Sequence, residues 1–368
     1  MNVIDLFSGC GGLSLGFLKY GYSVNKAVEF DKTIALSYKE NHPNTDVIID
    51  DIRNVDNSGV FSLHSADIII GGPPCQGFSM AGARIREGFI DDSRNFLFKH
   101  YFNVVKCVKP KAFVFENVKG ILTMKRGQIF KQILDIFADR KLLDGDYYNL
   151  SYKVVKASDY GIPQSRERVI IIGIKNSTLN VNDIWERTKN EILSEIPSFF
   201  NSVTIKDAIG NLPDETDDGI IKNPVPLSDY QKFLSCKKEF ITNHNGTKHS
   251  KLAISRMSRV ANGENFTILN ENIKSVHSGS YGRLSWDSQA QTITTRFDTP
   301  SGGRFTHPDK NRTLTPREAA RIQSFPDDYV FYGSRTSICK QIGNAVPPKL
   351  AYFLARVIDN CIKGVNYE

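Results

Sequence analysis

Cys75 stands behind Pro73 and Pro74, two residues that fix their own φ angles and donate no hydrogen bond. The loop is therefore stiff, and the thiol is held in one place. A thiolate held this way is a nucleophile for an electron-poor carbon. A lone cysteine is more often a small buried hydrophobe, so the assignment depends on its neighbours. Glu116 ends a second apolar run, Lys111 to Glu116, and so sits on the same sheet edge as Cys75. Arg166 and Arg168, in Gln164-Ser165-Arg166-Glu167-Arg168, could orient a planar heterocycle or bind phosphate. The plainer reading of two neighbouring arginines is solvated charge.

These groups need a scaffold that brings strand ends together. Ile68 to Ile70, stopped by Gly71-Gly72, suits a strand buried in a parallel sheet, and in open α/β sheets ligands bind beyond the carboxyl ends of such strands. Val3 to Phe7 reads as the first strand and is followed by Ser8-Gly9-Cys10-Gly11-Gly12 and a helical pattern. Glycines there let backbone approach a ligand, and the N–H groups at the helix start face it. The loop lacks the Gly-Lys-Ser or Gly-Lys-Thr ending of a phosphate loop and is an imperfect GxGxxG. Ser23 to Glu29 reads as the second strand, with Glu29 about 20 residues after the glycines, where a nucleoside-binding sheet places an acid for ribose hydroxyls. Asp46 to Ile49 is the third, and Asp50-Asp51-Ile52 at its end could meet an adenine edge or merely cap a helix. Together these describe an adenosine pocket, which dinucleotide and S-adenosylmethionine enzymes both build.

Further along, Ser93 to Val108 and Gln128 to Phe137 have helical spacing, and Tyr152 to Ala157 and Val169 to Ile174 read as strands. Ser79 to Asp92 is polar and suited to closing over a substrate. From about Asn176 long apolar strands disappear, and turn-rich sequence with an acidic run (Asp214, Glu215, Asp217, Asp218) continues to about Arg312. Between Cys236 and Val260 six basic residues (Lys237, Lys238, Lys248, Lys251, Arg256, Arg259) face one acid, Glu239. Such a cluster suits a phosphate backbone, or simply a solvated face. Thr315 and Pro316 open a helix over Glu318 to Ser324, and Lys349 to Ile362 is a long apolar helix expected to pack on the first domain.

Composition agrees with a polyanionic partner without proving one: net charge is +7 and pI about 8.9. The six cysteines form no CxxC pair, so neither zinc nor a disulfide framework is expected, and no metal is assigned. The first strand begins at once, and no apolar run is long enough for a bilayer. A cytoplasmic location is expected, without signal peptide or membrane contact.

The order of Asp5-Leu6-Phe7-Ser8-Gly9-Cys10-Gly11-Gly12, Pro73-Pro74-Cys75-Gln76, Glu116-Asn117-Val118, Gln164-Ser165-Arg166-Glu167-Arg168, Leu314-Thr315-Pro316-Arg317-Glu318 and Gln341-Ile342-Gly343-Asn344-Ala345-Val346 resembles the motifs of the DNA (cytosine-5) methyltransferase family. The resemblance covers nearly the whole chain outside about Asn176 to Gly282. It implies an α/β fold: a doubly wound, Rossmann-like methyltransferase sheet with a second, smaller target-recognition domain. Residues 1–175, completed by the helix in 335–368, would form the catalytic domain, 176–312 the target-recognition domain, and 313–334 the connection.

The resemblance implies a methyl transfer from S-adenosylmethionine, leaving S-adenosylhomocysteine, to carbon 5 of a cytosine flipped out of duplex DNA. Cys75 would add to carbon 6, Glu116 would hold a proton at ring nitrogen 3, Arg166 would hold the base carbonyl and Arg168 would brace the site. Cofactor contacts would come from Phe7, Ser8, Gly9, Gly11, Gly12, Glu29, Phe30, Asp51, Ile52, Pro73, Leu97, Asn344 and Ala345. Phe30 stands where the family often has tryptophan. DNA contacts would come from Gln76, Ser79, Arg283, Thr292, Ile293, Arg296 and Arg304, with Gln291-Thr292-Ile293-Thr294 and Gly302-Gly303 resembling the end of the recognition region. The partner would be double-stranded DNA, with a restriction endonuclease as a partner in function, and the enzyme a nucleoid-associated monomer. A tRNA cytosine-5 methyltransferase of the DNA-methyltransferase-like kind shares these motifs. A nicotinamide-dependent oxidoreductase or an inactive nucleotide-binding module shares the pocket but has no use for Cys75 beside Glu116 and Arg166.

Overall fold

Ile68, Ile69 and Ile70 have no exposed surface, as a strand covered on both faces requires. In the computed structural model, which describes residues 1–56, 59–74, 97–273 and 277–365, they form the centre of a seven-stranded sheet. The elements run β1 (Asn2–Leu6), α1 (Gly12–Tyr20), β2 (Ser23–Val28), α2 (Lys32–Asn41), β3 (Asp46–Ile48), α3 (Ile52–Val55), β4 (Ile68–Gly71), α4 (Leu97–Val108), β5 (Ala112–Val118), α5 (Gln128–Ala138), β6 (Tyr148–Lys156), β7 (Glu167–Lys175) and α6 (Val181–Glu195). There follow α7 (Ile205–Ile209), β8 (Ile221–Lys222), α8 (Asp229–Leu234), β9 (Phe240–Ile241), α9 (Lys251–Ser258), α10 (Pro316–Ile322), α11 (Arg335–Asn344) and α12 (Pro348–Val365).

The sheet order is β3-β2-β1-β4-β5-β7-β6. The first five strands pair in parallel, and β7 runs antiparallel to β5, with Val118 opposite Arg168 and Glu116 opposite Ile170. Side chains two apart on a strand share a face, so this register puts Arg168 diagonally beside Glu116. The order reverses between β1 and β4, and at such a switch point the strand ends part and leave a crevice. The glycine loop after β1 and the Gly71-Gly72-Pro73-Pro74 turn after β4 flank that point. Both sheet faces are closed by helices. On one, Phe98, Tyr101, Val104 and Val105 of α4 and Phe137 of α5 join Phe113 and Phe115 in an aromatic-rich core. The α1 and α12 helices pack so closely that a Cβ at Gly16 would lie 2.3 Å from that of Ala351.

The chain divides into two compact units: Met1–Val155, Glu167–Ile196 and Leu350–Glu368 form the first, and Lys156–Arg166 with Pro197–Lys349 the second. These boundaries differ from those expected at 175 and 335. The α6 helix belongs to the first unit because its stripe of Val181, Ile184, Trp185 and Ile192 is buried there, with Trp185 against Phe353 of α12 at 5.0 Å. The α11 helix belongs to the second, where Gly343 lies so close to Thr294 that a Cβ would come within 2.5 Å of its backbone. The strand expected at Tyr152 begins at Tyr148.

In the second unit regular structure is sparse, so loop carbonyls need other partners. Arginines supply them. Arg317 donates to the carbonyls of Thr242, Pro326 and Tyr329, and Arg321 to Ala208 and to both oxygens of Asp327. Thr315 and Glu318 form a reciprocal cap at the start of α10, with Pro316 in the first turn, as their spacing predicts.

Candidate active site

The turn after β1 is left-handed at Phe7 (φ 60°), Gly9 (φ 56°) and Gly11 (φ 93°). A phenylalanine there is unfavourable by sterics alone and persists only where its surroundings hold it. They do: Ser8 N–H donates to Val28 O at 3.0 Å, Gly11 N–H to Ser8 O at 3.0 Å, and Gly9 N–H to Glu29 Oε2 at 2.9 Å. Glu29 Oε1 accepts from Asp31 N–H at 2.9 Å. The Glu29 carboxylate is thus buried and fixed against the loop. Beneath the loop, Ser14 Oγ donates to Asp5 Oδ2 at 2.6 Å and lies 2.7 Å from Tyr38 Oη. Burial pushes the Asp5 carboxyl up to about 7.

Phe30, beside Glu29, is 65 % exposed. Phe7 and Leu97 pack against the same apolar cluster that contains buried Ile52. Asp51 caps α3 through Arg53 N–H and holds the Arg53 guanidinium through both oxygens, at 2.9 and 2.6 Å. The hydrogen-bonded Arg53 holds its carboxyl below the usual range. Asp51 therefore serves as the cap and pairs with Arg53 through both oxygens, its side chain partly exposed.

At the end of β4, glycine is required twice. A Cβ on Gly71 would sit 2.3 Å from Leu6 O, and one on Gly72 would sit 2.9 Å from Glu116 Oε2. Arg168 Nε approaches Glu116 Oε1 at 3.0 Å, off the line of a good hydrogen bond, and that buried oxygen has no hydrogen-bond partner among the described residues. A buried acceptor in this condition is suited to a ligand donor. Asn117, the next residue, donates from Nδ2 to Pro73 O at 3.0 Å and so fixes the proline turn that leads into Cys75. Its role was not drawn from the sequence, although a polar residue directly after Glu116, near the end of an otherwise apolar strand, was the available signal. Cys75, Gln76 and Ser79 lie outside the described residues.

Arg166 belongs to the second unit. Its Nη1 donates to Gly343 O at 2.9 Å and Ile293 O at 3.3 Å, and its Nη2 to Asn344 O at 3.4 Å. Arg168 thus stands at Glu116, while Arg166 reaches the carbonyls of Ile293, Gly343 and Asn344. Gln164 extends that hub, accepting from Ile293 N–H and donating to Ile322 O and to Gln323 Oε1. The Asn344 side chain is exposed at the end of α11, and Ala345 caps the helix.

Two expected DNA contacts are also corrected. Arg283 is buried, and its guanidinium donates to the carbonyls of Met257, Val260, His307, Pro308 and Lys310 and to Asn311 Oδ1, leaving nothing to reach a base. The Ile293 side chain has no exposed surface, and its backbone is taken up by Gln164 and Arg166. Thr292 is half-buried, Arg296 is exposed with Nη2 on Thr299 Oγ1 at 3.1 Å, and Arg304 reaches the Gly263 carbonyl. In the basic cluster Arg256 and Arg259 are both paired with Glu271, whereas Lys237, Lys238, Lys248 and Lys251 are exposed. Glu215 and Asp214 of the acidic run pair with Lys310, and Glu215 also with Arg312.

Comparison with known proteins extends these observations to the whole chain. The family described as C-5 cytosine-specific DNA methylase matches residues 1–360. The chain is 36 % identical to the Type II methyltransferase M.DdeI of Desulfomicrobium norvegicum, over all of this chain and 90 % of that protein. It is 34 % identical to the Type II methyltransferase M1.HphI of Haemophilus parahaemolyticus, over 97 % of this chain and 86 % of the other. Among solved structures, a DNA modification methyltransferase encoded within an Escherichia coli prophage superposes with a TM-score of 0.75 at 30 % identity, covering both chains completely.

Proposed function

The chain belongs to the C-5 cytosine-specific DNA methylase family and is a DNA (cytosine-5) methyltransferase, and on that premise we propose how its own residues divide the work. The single observation that carries the proposal is the convergence at the switch-point edge: the Glu116 carboxylate under Gly72, Arg168 beside it, and Asn117 holding the turn before Cys75.

The cofactor we assign is S-adenosylmethionine. The cradle fits an adenosine: the left-handed turn at Phe7, Gly9 and Gly11 brings backbone close, the fixed Glu29 carboxylate accepts from ribose hydroxyls, and Phe7, Ile52, Leu97 and exposed Phe30 offer apolar surface to adenine. When bound, it supplies an electrophilic methyl group on a positively charged sulfur. Asp51 accepts from the adenine amino group, with Arg53 yielding part of the carboxylate.

Cytosine carbon 5 is a poor nucleophile until the ring is opened to addition. The Cys75 thiolate adds its electron pair to carbon 6, and the negative charge that develops on the ring is met at nitrogen 3 through Glu116. Arg168 orients the base carbonyl and braces Glu116. Carbon 5 then carries enamine character and would take the methyl group as its bond to sulfur breaks, leaving S-adenosylhomocysteine. Transfer of the carbon 5 proton to a base such as water returns the electron pair to the ring, breaks the bond to carbon 6 and releases the Cys75 thiolate. None of these atoms is reachable within a stacked duplex, so the base is flipped before reaction. The second unit supplies target choice, with exposed lysines on phosphate and Arg296 or Arg304 on flanking backbone or base edges.

Relatives named as Type II methyltransferases support a protective role against a cognate restriction endonuclease. No helix among the described residues is long and apolar enough to cross a membrane, and we assign the enzyme to the cytoplasm, working as a monomer on the nucleoid. Bisulfite sequencing of DNA from cells expressing the protein tests the reading. Protection of cytosines within one short sequence is expected, and its loss with Cys75→Ser. Protection confined to tRNA would replace the DNA assignment, and unchanged protection with Cys75→Ser would remove the covalent step.

A further inference from the structure

Elsewhere the second unit keeps its buried positive charge on arginine, but at Lys349 it buries an ammonium group. Lys349 is 4 % exposed, and its Nζ donates to Gly161 O at 3.0 Å and Phe199 O at 2.7 Å. The rings of Phe199, Phe233 and Tyr230 lie 4.7, 5.6 and 5.7 Å away. No carboxylate pairs with it among the described residues. The residue sits in the first turn of α12, where the helix dipole opposes a cation, so local helix energetics do not account for its position. Rings and carbonyls together compensate an ion of this kind. Gly161 completes the fit: it is left-handed (φ 63°), and a Cβ there would lie 2.5 Å from Nζ and 2.3 Å from Phe199 O.

The three tied segments are not arbitrary. The chain passes between the two units after Val155, Arg166, Ile196 and Lys349. Gly161 lies in the strap between the first two passages, Phe199 follows the third, and Lys349 is the last residue before the fourth. From Gly161 the strap continues through Ile162, whose carbonyl accepts from Gln164 N–H at 2.7 Å, to the Gln164 and Arg166 hub, and then directly into Glu167 and Arg168 at the start of β7. The placement of Arg168 against Glu116 is therefore set from one side by the β5–β7 register and from the other by the strap.

We infer that Lys349 is a positioning residue for methyl transfer: its ammonium group pins the strap of residues 157–166 and through it holds Arg168 in register with Glu116. This rests on the reading of Glu116 and Arg168 as the pair that holds the base. Burial pushes the Lys349 ammonium down to about 7, so the pin is charged below that pH and is lost above it. The groups facing it are Phe199, the Gly161 carbonyl, and Tyr230 and Phe233 of α8; only Tyr230 titrates, and burial holds its hydroxyl neutral well above the ordinary range.

The test compares Lys349→Met, which keeps length and burial but removes the ammonium, with Lys349→Arg, which keeps a charge and donors. Single-turnover methylation should slow on the order of 10²-fold in Lys349→Met, the scale of an ångström-level misplacement, with S-adenosylmethionine affinity unchanged, and Lys349→Arg should recover most of the rate. Unchanged turnover in Lys349→Met, or an equal loss of cofactor affinity, overturns the inference. Glu116→Gln in the same assay separates the premise: if it too is fast, the reading of the site fails, and if it alone is slow, only the role of Lys349 fails. Should Lys349→Met not fold, amide exchange in the wild-type protein decides. Corrected for intrinsic rates, protection of residues 157–166 should fall between about pH 6 and about pH 9 as the ammonium is neutralised. Constant protection across that range contradicts the inference.

Discussion

The two units satisfy their buried polar groups by opposite means. In the first, backbone groups are paired in a seven-stranded ladder, and the few buried charged side chains at the switch-point edge, Asp5, Glu29 and Glu116, belong to the candidate site or its floor. In the second, Arg166, Arg283, Arg312, Arg317 and Arg321 are all buried and spend their donors on loop carbonyls and carboxylates. The lesson concerns charge. At the switch-point edge of the sheet a buried acid is a functional candidate, while Asp56 and Asp359 elsewhere in that unit are held by His100 and Asn103 and by Tyr20 and Tyr22; in the loop-based unit a buried arginine is a scaffold element, and basic composition there does not measure the surface offered to DNA. Lysines report that surface better, because Lys237, Lys238, Lys248 and Lys251 remain exposed while neighbouring Arg256 and Arg259 share the one carboxylate of Glu271.

The contrast can be broken by substitutions that exchange the two roles. The largest effect is expected at the site: Glu116→Gln should slow methyl transfer about 10²–10⁴-fold while cofactor binding, measured by calorimetry, is retained. Equal loss of both would make Glu116 structural. Next comes the scaffold. Arg283→Met removes the donor from five carbonyls and one amide oxygen, of which Met257 O keeps the Val260 N–H, and even after partial rescue by water it should cost about 3 kcal/mol or more in denaturant unfolding. The residual enzyme should methylate the same DNA sequence, and a stable protein with relaxed target choice would return Arg283 to the DNA surface.

A smaller effect separates the buried acid of the first unit from those of the second. Because burial raises the Asp5 carboxyl to about 7, the native state favours its neutral form, so the stability associated with that proton is full below the ordinary carboxylate range and declines as pH rises toward 7. Asp5→Asn cannot ionise and should gain on the wild type by on the order of 1–3 kcal/mol between about pH 5 and about pH 8. Thermal unfolding with the same difference at both values would show that Asp5 is ionised in the folded protein. Smallest is the effect of single lysines. Changing Lys237, Lys238, Lys248 or Lys251 to Gln should weaken DNA binding about evenly across sequences, and each true phosphate contact should lower the salt slope by about one unit. A change confined to one DNA sequence would instead make that lysine a base reader.

The same contrast explains what the sequence could tell. The strands, the glycine turn and the acid at Glu29 were legible because a parallel sheet imposes uninterrupted apolar runs and places its ligands at their ends, as Ile68 to Ile70 and Gly9 to Glu29 show. The motif resemblance named the chemistry. Arg166 and Arg168 could not be told apart by type; only the antiparallel register of β7 brings Arg168 to Glu116. Arg283 and Ile293 were misplaced for a related reason, since neither composition nor motif says whether a residue in a loop-rich region faces outward or is gripped by carbonyls from segments distant in sequence. The α6 helix was missed because its buried stripe is interspersed with charged residues, which makes the segment read as polar.

The central claim, that a cysteine at the end of β4 makes the covalent bond while Glu116 and Arg168 hold the base, is tested most directly by trapping. Duplex DNA carrying 5-fluorocytosine at the methylated position is incubated with enzyme and S-adenosylmethionine, and because fluorine does not leave as a proton does, the thiolate cannot be expelled. The account predicts an adduct that survives denaturation and maps by mass spectrometry to Cys75. No surviving adduct, or one on Cys107, Cys236 or any other cysteine, would contradict it.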